Sequence, residues 1–244
     1  MEKKYELTDE ILEVGGHVLH RIKALRDFGD VRKGDIGGWI ENEDNLSHDD
    51  DCWVYDNAVV NGYAIIYGNA KVCDEAKVFG DARVYGNAKV YDDAEVFGKA
   101  DVFGKADVFG NAIAHGNVKV YDDAEVYGNA IVYKNARVYK NARVYGNAKV
   151  CGDAEVFGDA EVCGNAEVYG NAKVENKSDY IVFKNWWSSG RYFTWTRSND
   201  MWSVGCFYGT GEELIKKAFN DSDESGREYE RIVKYVELIK FEIK

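Results

Sequence analysis

The sequence predicts a mainly all-β chain: a single-stranded parallel β-helix with an N-terminal β-hairpin cap and a small C-terminal β+α module. Three observations carry this reading. About twenty-one six-residue repeats run without insertion from Val54 to Val174, proline is absent from all 244 residues, and the segments flanking the repeat differ from it in composition. The chain accordingly divides into residues 1–53, 54–177 and 178–244.

The repeat dictates the coil. Every sixth residue from Val54 to Val174 is Val except Ile66 and Ala114, and four residues after each the position is Ala from Ala58 to Ala172, broken only by Val118. Read as a short strand, Ala-x-Val-x puts Ala and Val on one side and the charged and aromatic residues on the other, because side chains alternate along a strand. The intervening Gly-Asn, Asp-Asp or Lys-Asn pair supplies a corner, where Gly and Asn tolerate positive φ. So short a strand buries its Ala/Val face only if three hexads wrap into a triangular coil of 18 residues and successive coils stack. Twenty-one hexads then make about seven triangular coils, roughly 34 Å long at ~4.8 Å between strands. Absence of proline suits a chain in which nearly every backbone N–H enters a ladder.

Stacking by 18 defines three outer columns of rings. One holds Tyr67, Tyr85, Phe103, Tyr121, Tyr139 and Phe157; the second Tyr55, Cys73, Tyr91, Phe109, Tyr127, Tyr145 and Cys163; the third Phe79, Phe97, His115, Tyr133, Cys151 and Tyr169. As ladders they would stiffen the rod by roughly 0.2–1 kcal/mol per cross-strand pair; the functional reading is a flat aromatic surface for association or for stacking a planar ligand. Beside the third column the usually charged position is apolar at Val59, Ile113 and Ile131, which predicts a covered face, most simply a homo-oligomer interface.

Composition limits the partners. The net charge of −12 is concentrated N-terminally: residues 1–53 carry 7 basic and 14 acidic side chains, 54–174 carry 13 and 17, and 175–244 carry 11 and 12. That balance argues against a long nucleic acid as partner, which needs a basic face. No apolar run approaches the ~20 residues needed to span a bilayer, and MEKKYELTDEILEV lacks an apolar export core, so no membrane partner and a cytoplasmic location are expected. Five cysteines at no metal-like spacing read as free thiols, with no metal site.

At the N-terminus, residues 4–28 alternate apolar and polar around Gly15-Gly16, the pattern of a β-hairpin. Ile40, Leu46 and Cys52 already keep the six-residue spacing, so the first coil begins there in imperfect form. Open ends of a β-helix expose unpaired strands and need such caps.

The segment Asp27-Phe28-Gly29-Asp30-Val31, Gly34-Asp35, Gly37-Gly38-Trp39-Ile40, Asn45-Leu46-Ser47 and Asp51-Cys52-Trp53-Val54-Tyr55-Asp56 resembles the N-terminal region of the YdcK-like bacterial hexapeptide-repeat proteins. With the repeat, the resemblance covers roughly residues 20 to 174. The hexads themselves are similar to those of the hexapeptide-repeat left-handed β-helix, with Tyr or Phe where that family favours Gly; left-handedness is what this resemblance implies, since parallel crossovers otherwise prefer the right hand. Members carry an acyltransferase label that rests on fold analogy. In that family a histidine base commonly sits near a loop interrupting the coils, and acyl-CoA lies between subunits. Here no loop interrupts the repeat, and His115 is its only histidine. An acyltransferase using acetyl-CoA, with His115 as base, is therefore the alternative reading; the preferred reading names no catalytic residue and no cofactor.

From Ser178 the repeat stops. Alternation in Tyr180–Lys184, Arg191–Arg197 and Met201–Phe207 predicts two or three antiparallel strands. Thr210 with Glu213 three residues on predicts a capped helix, and a second helix follows from about Ser222, with Tyr229, Ile232, Val233, Val236 and Ile239 on one stripe. Four of the six tryptophans lie here, and adjacent Trp186 and Trp187 cannot both face inward on a strand. Rings and arginines together suit stacking and charge recognition. Trp186, Trp187, Arg191, Tyr192, Trp195, Arg197, Trp202 and Tyr208 are the candidate ligand-binding residues; the bland reading makes the same aromatics a core. The expected function is thus a non-catalytic binding or scaffold protein of bacterial or phage origin, in which a rigid rod presents this module to a small ligand or protein partner. A second alternative is a protein that sequesters a small nucleotide signal.

Overall fold

A computed structural model describes residues 3–242. The repeat forms a parallel β-solenoid in which each hexad contributes a two- to four-residue strand to one of three sheets, and residue i pairs with i+18, as in Val96 with Ala114 and Ala114 with Val132. From Ala58 to Val174 every inward Ala and Val of the repeat has no exposed surface. The core is therefore a stack of alternating small and medium side chains.

The solenoid has about eight coils where the hexads alone account for seven. The extra one is built from non-repetitive sequence: β3 (Ile36–Ile40) pairs in parallel with Val59–Val60 and Leu46 bridges to Ile66, and it leads into Trp53–Val54, where the hexads begin and pair with Lys71–Val72. Its inward residues Ile40, Leu46 and Cys52 have no exposure, but Ile40 and Leu46 pair twenty residues on with Val60 and Ile66 and so fill valine positions, whereas Cys52, next to Trp53 paired with Lys71, fills an alanine position. The coil escapes the hexad pattern because Gly37 and Gly38 pass under neighbouring chain: a Cβ at Gly38 would lie 2.6 Å from the Ala58 carbonyl oxygen.

At the corners the first residue of each pair adopts positive φ, whether glycine, Asp92 (57°) or Lys140 (61°). Aspartate offsets the backbone cost with a bond glycine lacks, since the Asp92 carboxylate accepts from Gly110 N at 3.0 Å one coil on. Asparagines at the next position chain along the rod, with Asn111 donating to Asn129 at 3.2 Å and Asn129 to Asn147 at 3.2 Å.

Both ends are closed. Strands β1 (Tyr5–Val14) and β2 (His17–Ala24) form the expected hairpin around Gly15 and Gly16, and β2 pairs antiparallel with β3, extending one sheet to ten strands. The C-terminal module closes the other end through hydroxyls. Tyr180 donates to Glu161 O at 3.0 Å and accepts from Cys163 N at 3.3 Å. Thr194 Oγ1 accepts from Glu167 N at 2.9 Å, Ser203 Oγ donates to Glu167 O at 2.7 Å, and Ser198 Oγ accepts from Lys173 N at 2.6 Å. Each of the three sheets thus has its last rung met by at least one side-chain hydroxyl, which satisfies edge groups that would otherwise template another chain.

The module has four antiparallel strands, Tyr180–Lys184, Tyr192–Thr196, Met201–Val204 and Phe207–Gly209, followed by α1 (Gly211–Asp221) and α2 (Asp223–Ile239). Alternation alone carries the third strand through Phe207; Gly205, at φ 56°, turns the chain there and releases a fourth. Thr210 caps α1 in the expected capping box, and Ser222 caps α2. One sheet face gives Thr194 and Ser203 to the rod, while Phe193, Trp195 and Trp202 on the other pack with Leu214, Tyr229 and Val233 of the helices.

Candidate functional site

The rod's outer faces are occupied by their own residues. In the first column, successive rings from Tyr67 to Phe157 lie 4.7–5.2 Å apart at interplanar angles of 2–9°. Rings stacked this closely turn their faces to one another and present their edges outward, so this column forms a ladder rather than a platform for a planar ligand. His115 is sandwiched between Phe97 at 4.9 Å and Tyr133 at 5.4 Å, and burial lowers its pKa below the usual histidine value. Among the described residues its ring has no hydrogen-bond partner. Of the apolar outer positions, Val59 is buried and pairs with Trp39, whereas Ile113 and Ile131 pair with each other and stay half-exposed.

The candidate ligand-binding residues separate into four groups. Trp195 and Trp202 are 1% exposed and belong to the module core. Two others are fasteners: Arg197 donates to the Lys240 carbonyl at 3.0 Å, tying the sheet to the end of α2, and Tyr208 seats its hydroxyl against Gly170, where any Cβ would collide with it. Trp187 packs edge-on against Tyr229 at 5.0 Å and is half-buried. Trp186, at 68% exposure, Arg191 and Tyr192 face solvent, and Tyr208 keeps its ring exposed while its hydroxyl is seated.

Trp186 and Arg191 belong to the loop Asn185–Arg191 and Tyr192 follows it; the loop is stapled by a buried asparagine. Asn185 N donates to Arg191 O at 2.8 Å, its Oδ1 accepts from Ser188 N at 2.9 Å and Ser188 Oγ at 3.0 Å, and its Nδ2 donates to the Tyr229 hydroxyl at 3.2 Å. Because Ser188 N can only donate, the amide orientation is fixed by this network.

Arg191 stands between two clefts. One, of about 200 Å³, lies between this loop and the helices; Phe207, Leu214 and Ala218 give it an apolar wall, and Lys217, Asp221 and Tyr229 add polar groups. The other, of about 380 Å³, opens toward the rod and is lined by Lys149, Glu167 and Tyr192. Glu167 Oε1 accepts from Lys149 at 3.3 Å, while its Oε2 is buried without a partner among the described residues. Neither Arg191 nor Lys217 makes an ion pair among the described residues.

Sequence reasoning found Arg191 but not Asn185, Lys217 or Tyr229. Asn185 carried a readable signal, an Asn three residues before Ser at the head of a loop. Tyr229 was read only as part of the helix stripe, and nothing in the sequence points Lys217 at the loop. Among the described residues no group of three His, Cys, Asp or Glu side chains could hold a metal ion, and no helix is long and apolar enough to cross a membrane.

No family model matches the chain. The chain is 46% identical over 46 residues to a protein named uncharacterized acetyltransferase YdcK from Escherichia coli (strain K12). That similarity covers 18% of this chain and 14% of the relative's length. It agrees with a hexapeptide-repeat β-helix.

Proposed function

We propose that this hexapeptide-repeat β-helix protein is a non-catalytic binding protein, in which the rod is a rigid support and the C-terminal module carries the ligand or partner site. The observation that carries this reading is the contrast in how polar groups are used. Along the rod, many charged side chains pair from coil to coil, as Arg83 does with Asp101 through two bonds of 2.8 and 2.9 Å. In the module, Arg191 and Lys217 converge on a cleft with an apolar wall. Such a combination of apolar lining and a few placed polar groups is what small-ligand sites use.

One observation favours acyl transfer, the similarity to a protein named an acetyltransferase. That reading requires His115 as a base beside bound acetyl-CoA, and a general base needs an orienting partner and room for substrate. His115 has aromatic rings on both faces.

Acetyl-CoA hydrolysis and transfer, measured for the wild type and for His115→Ala, separate the two readings. The binding reading expects background rates for both, and loss of ligand or partner recognition in Arg191→Ala with the rod still folded. A wild-type rate well above background that collapses in His115→Ala overturns it.

A further inference from the structure

The cleft under the loop Asn185–Arg191 is lined by three donors that meet no protein acceptor among the described residues: the Tyr229 hydroxyl, the Arg191 guanidinium and the Lys217 ammonium. Tyr229 is 7% exposed, and its hydroxyl oxygen accepts from Asn185 Nδ2 at 3.2 Å. Its own proton has no acceptor among the described residues. Burial raises the Tyr229 pKa, so the group keeps that proton near neutral pH and remains a donor. A buried O–H without an acceptor carries a desolvation cost that a ligand oxygen would relieve.

Arg191 and Lys217 line the same cleft, with no carboxylate within ion-pair distance of either among the described residues. Asp221 also faces it, one helical turn from Lys217. One carboxylate against an ammonium and a guanidinium leaves the cleft cationic. The asparagine staple holds the loop, so the donors are in place before any ligand arrives and less ordering cost falls on binding.

We propose that this cleft binds a small molecule carrying a phosphate- or carboxylate-type oxyanion on a compact apolar body. The oxyanion accepts from the Tyr229 hydroxyl, the Arg191 guanidinium and the Lys217 ammonium, and the apolar body lies along Phe207, Leu214 and Ala218. The cleft, at about 200 Å³, is smaller than the ~300–1,000 Å³ of sites for drug-sized ligands, which limits the body to about one ring. This rests on the reading of the module as the binding part of the chain.

The test uses the full chain labelled with nitrogen-15 and four probes of one shape: phenyl phosphate, benzoate, neutral benzamide and cationic benzylamine. We expect phenyl phosphate, benzoate or both to shift amide signals of residues 185–191 and of Tyr229, with the stronger of the two identifying the oxyanion class. Arg191→Ala and Tyr229→Phe should each weaken that probe roughly tenfold or more, the worth of a hydrogen bond to a charged group. Arg191 is exposed, so its variant keeps the test sound if Tyr229→Phe loosens the core. Benzamide or benzylamine binding at the cleft as well as the anions overturns the oxyanion assignment and leaves the module as the binding part. Shifts confined to the rod overturn both, and no shift at the cleft from either anion overturns the assignment.

Discussion

Lys4 Nζ lies 2.9 Å from the carbonyl oxygen of Cys52 and 3.2 Å from its Sγ, with no exposed surface on either residue. The same ammonium donates to the carbonyls of Asp49 at 3.2 Å and Asp50 at 3.4 Å. Three carbonyls at the N-terminal end of the solenoid are thus met by a single cation. Burial lowers the lysine pKa and raises that of the thiol, which keeps Cys52 a neutral thiol beside it. The two ends differ in their chemistry: here a cation and the Tyr5 hydroxyl, which donates to Leu46 O at 2.7 Å, satisfy carbonyls, and at the far end hydroxyls satisfy both N–H and C=O groups.

Lys4→Met should therefore cost roughly 3 kcal/mol, because it strands buried carbonyls without replacing their donor. Chemical denaturation of the two proteins measures it. A loss below about 0.5 kcal/mol, the size of an ordinary surface change, would mean that water reaches this end and takes the place of the ammonium.

Ala114 stands where valine is the rule and Val118 where alanine is, and both are fully buried in one coil. The exchange conserves core volume, and packed interiors register a change of a single methylene. Ala114→Val should overfill the coil and Val118→Ala should leave a void, each costing roughly 1–3 kcal/mol. The double variant restores the repeat and should recover most of the loss. Strictly additive costs in a double-mutant cycle would show that the two sites do not share space.

The coil was legible because its period is redundant: each Val and Ala repeats the same instruction, so register, corners and ring columns follow from counting. The first coil was legible only in part, since Ile40, Leu46 and Cys52 keep the spacing while Gly37, Gly38 and the turn Glu43–Asn45 obey contacts with one another's neighbours. The module was legible as elements but not as a site. Its helices carry a strong apolar stripe, yet whether Trp195 faces the core or solvent depends on which sheet face meets the rod. That choice is made by Thr194 and Ser203 bonding to Glu167, a tertiary contact with no local sequence signature.

The half-exposed pair Ile113 and Ile131 tests assembly. An apolar outer pair with charged Glu95 and Lys149 on either side suits a subunit contact, and we propose that a second copy covers it. Ile113→Lys with Ile131→Lys should lower the mass seen by light scattering. An unchanged mass in both proteins would remove this face from any account of assembly.

His115 gives a prediction in pH. Its folded-state pKa lies below the unfolded value of about 6.5, because burial between Phe97 and Tyr133 disfavours the imidazolium. The unfolded chain therefore binds this proton more readily, and stability attributable to His115 falls as pH drops through about 6.5, reaching its full loss below the folded pKa. His115→Phe keeps the ring stack and removes the titration, so the variant should gain on the wild type as the solution is taken from pH 8 to pH 5. Carboxylates elsewhere titrate in both proteins and cancel in the difference. A cation–π attraction from the two flanking rings would act in the opposite sense, and a wild type that gains on the variant in acid would show that it outweighs burial. A neutral imidazole at pH 7 is also what a general base requires, so this titration and the acetyl-CoA assay together ask whether His115 is poised for chemistry or only fills a ladder.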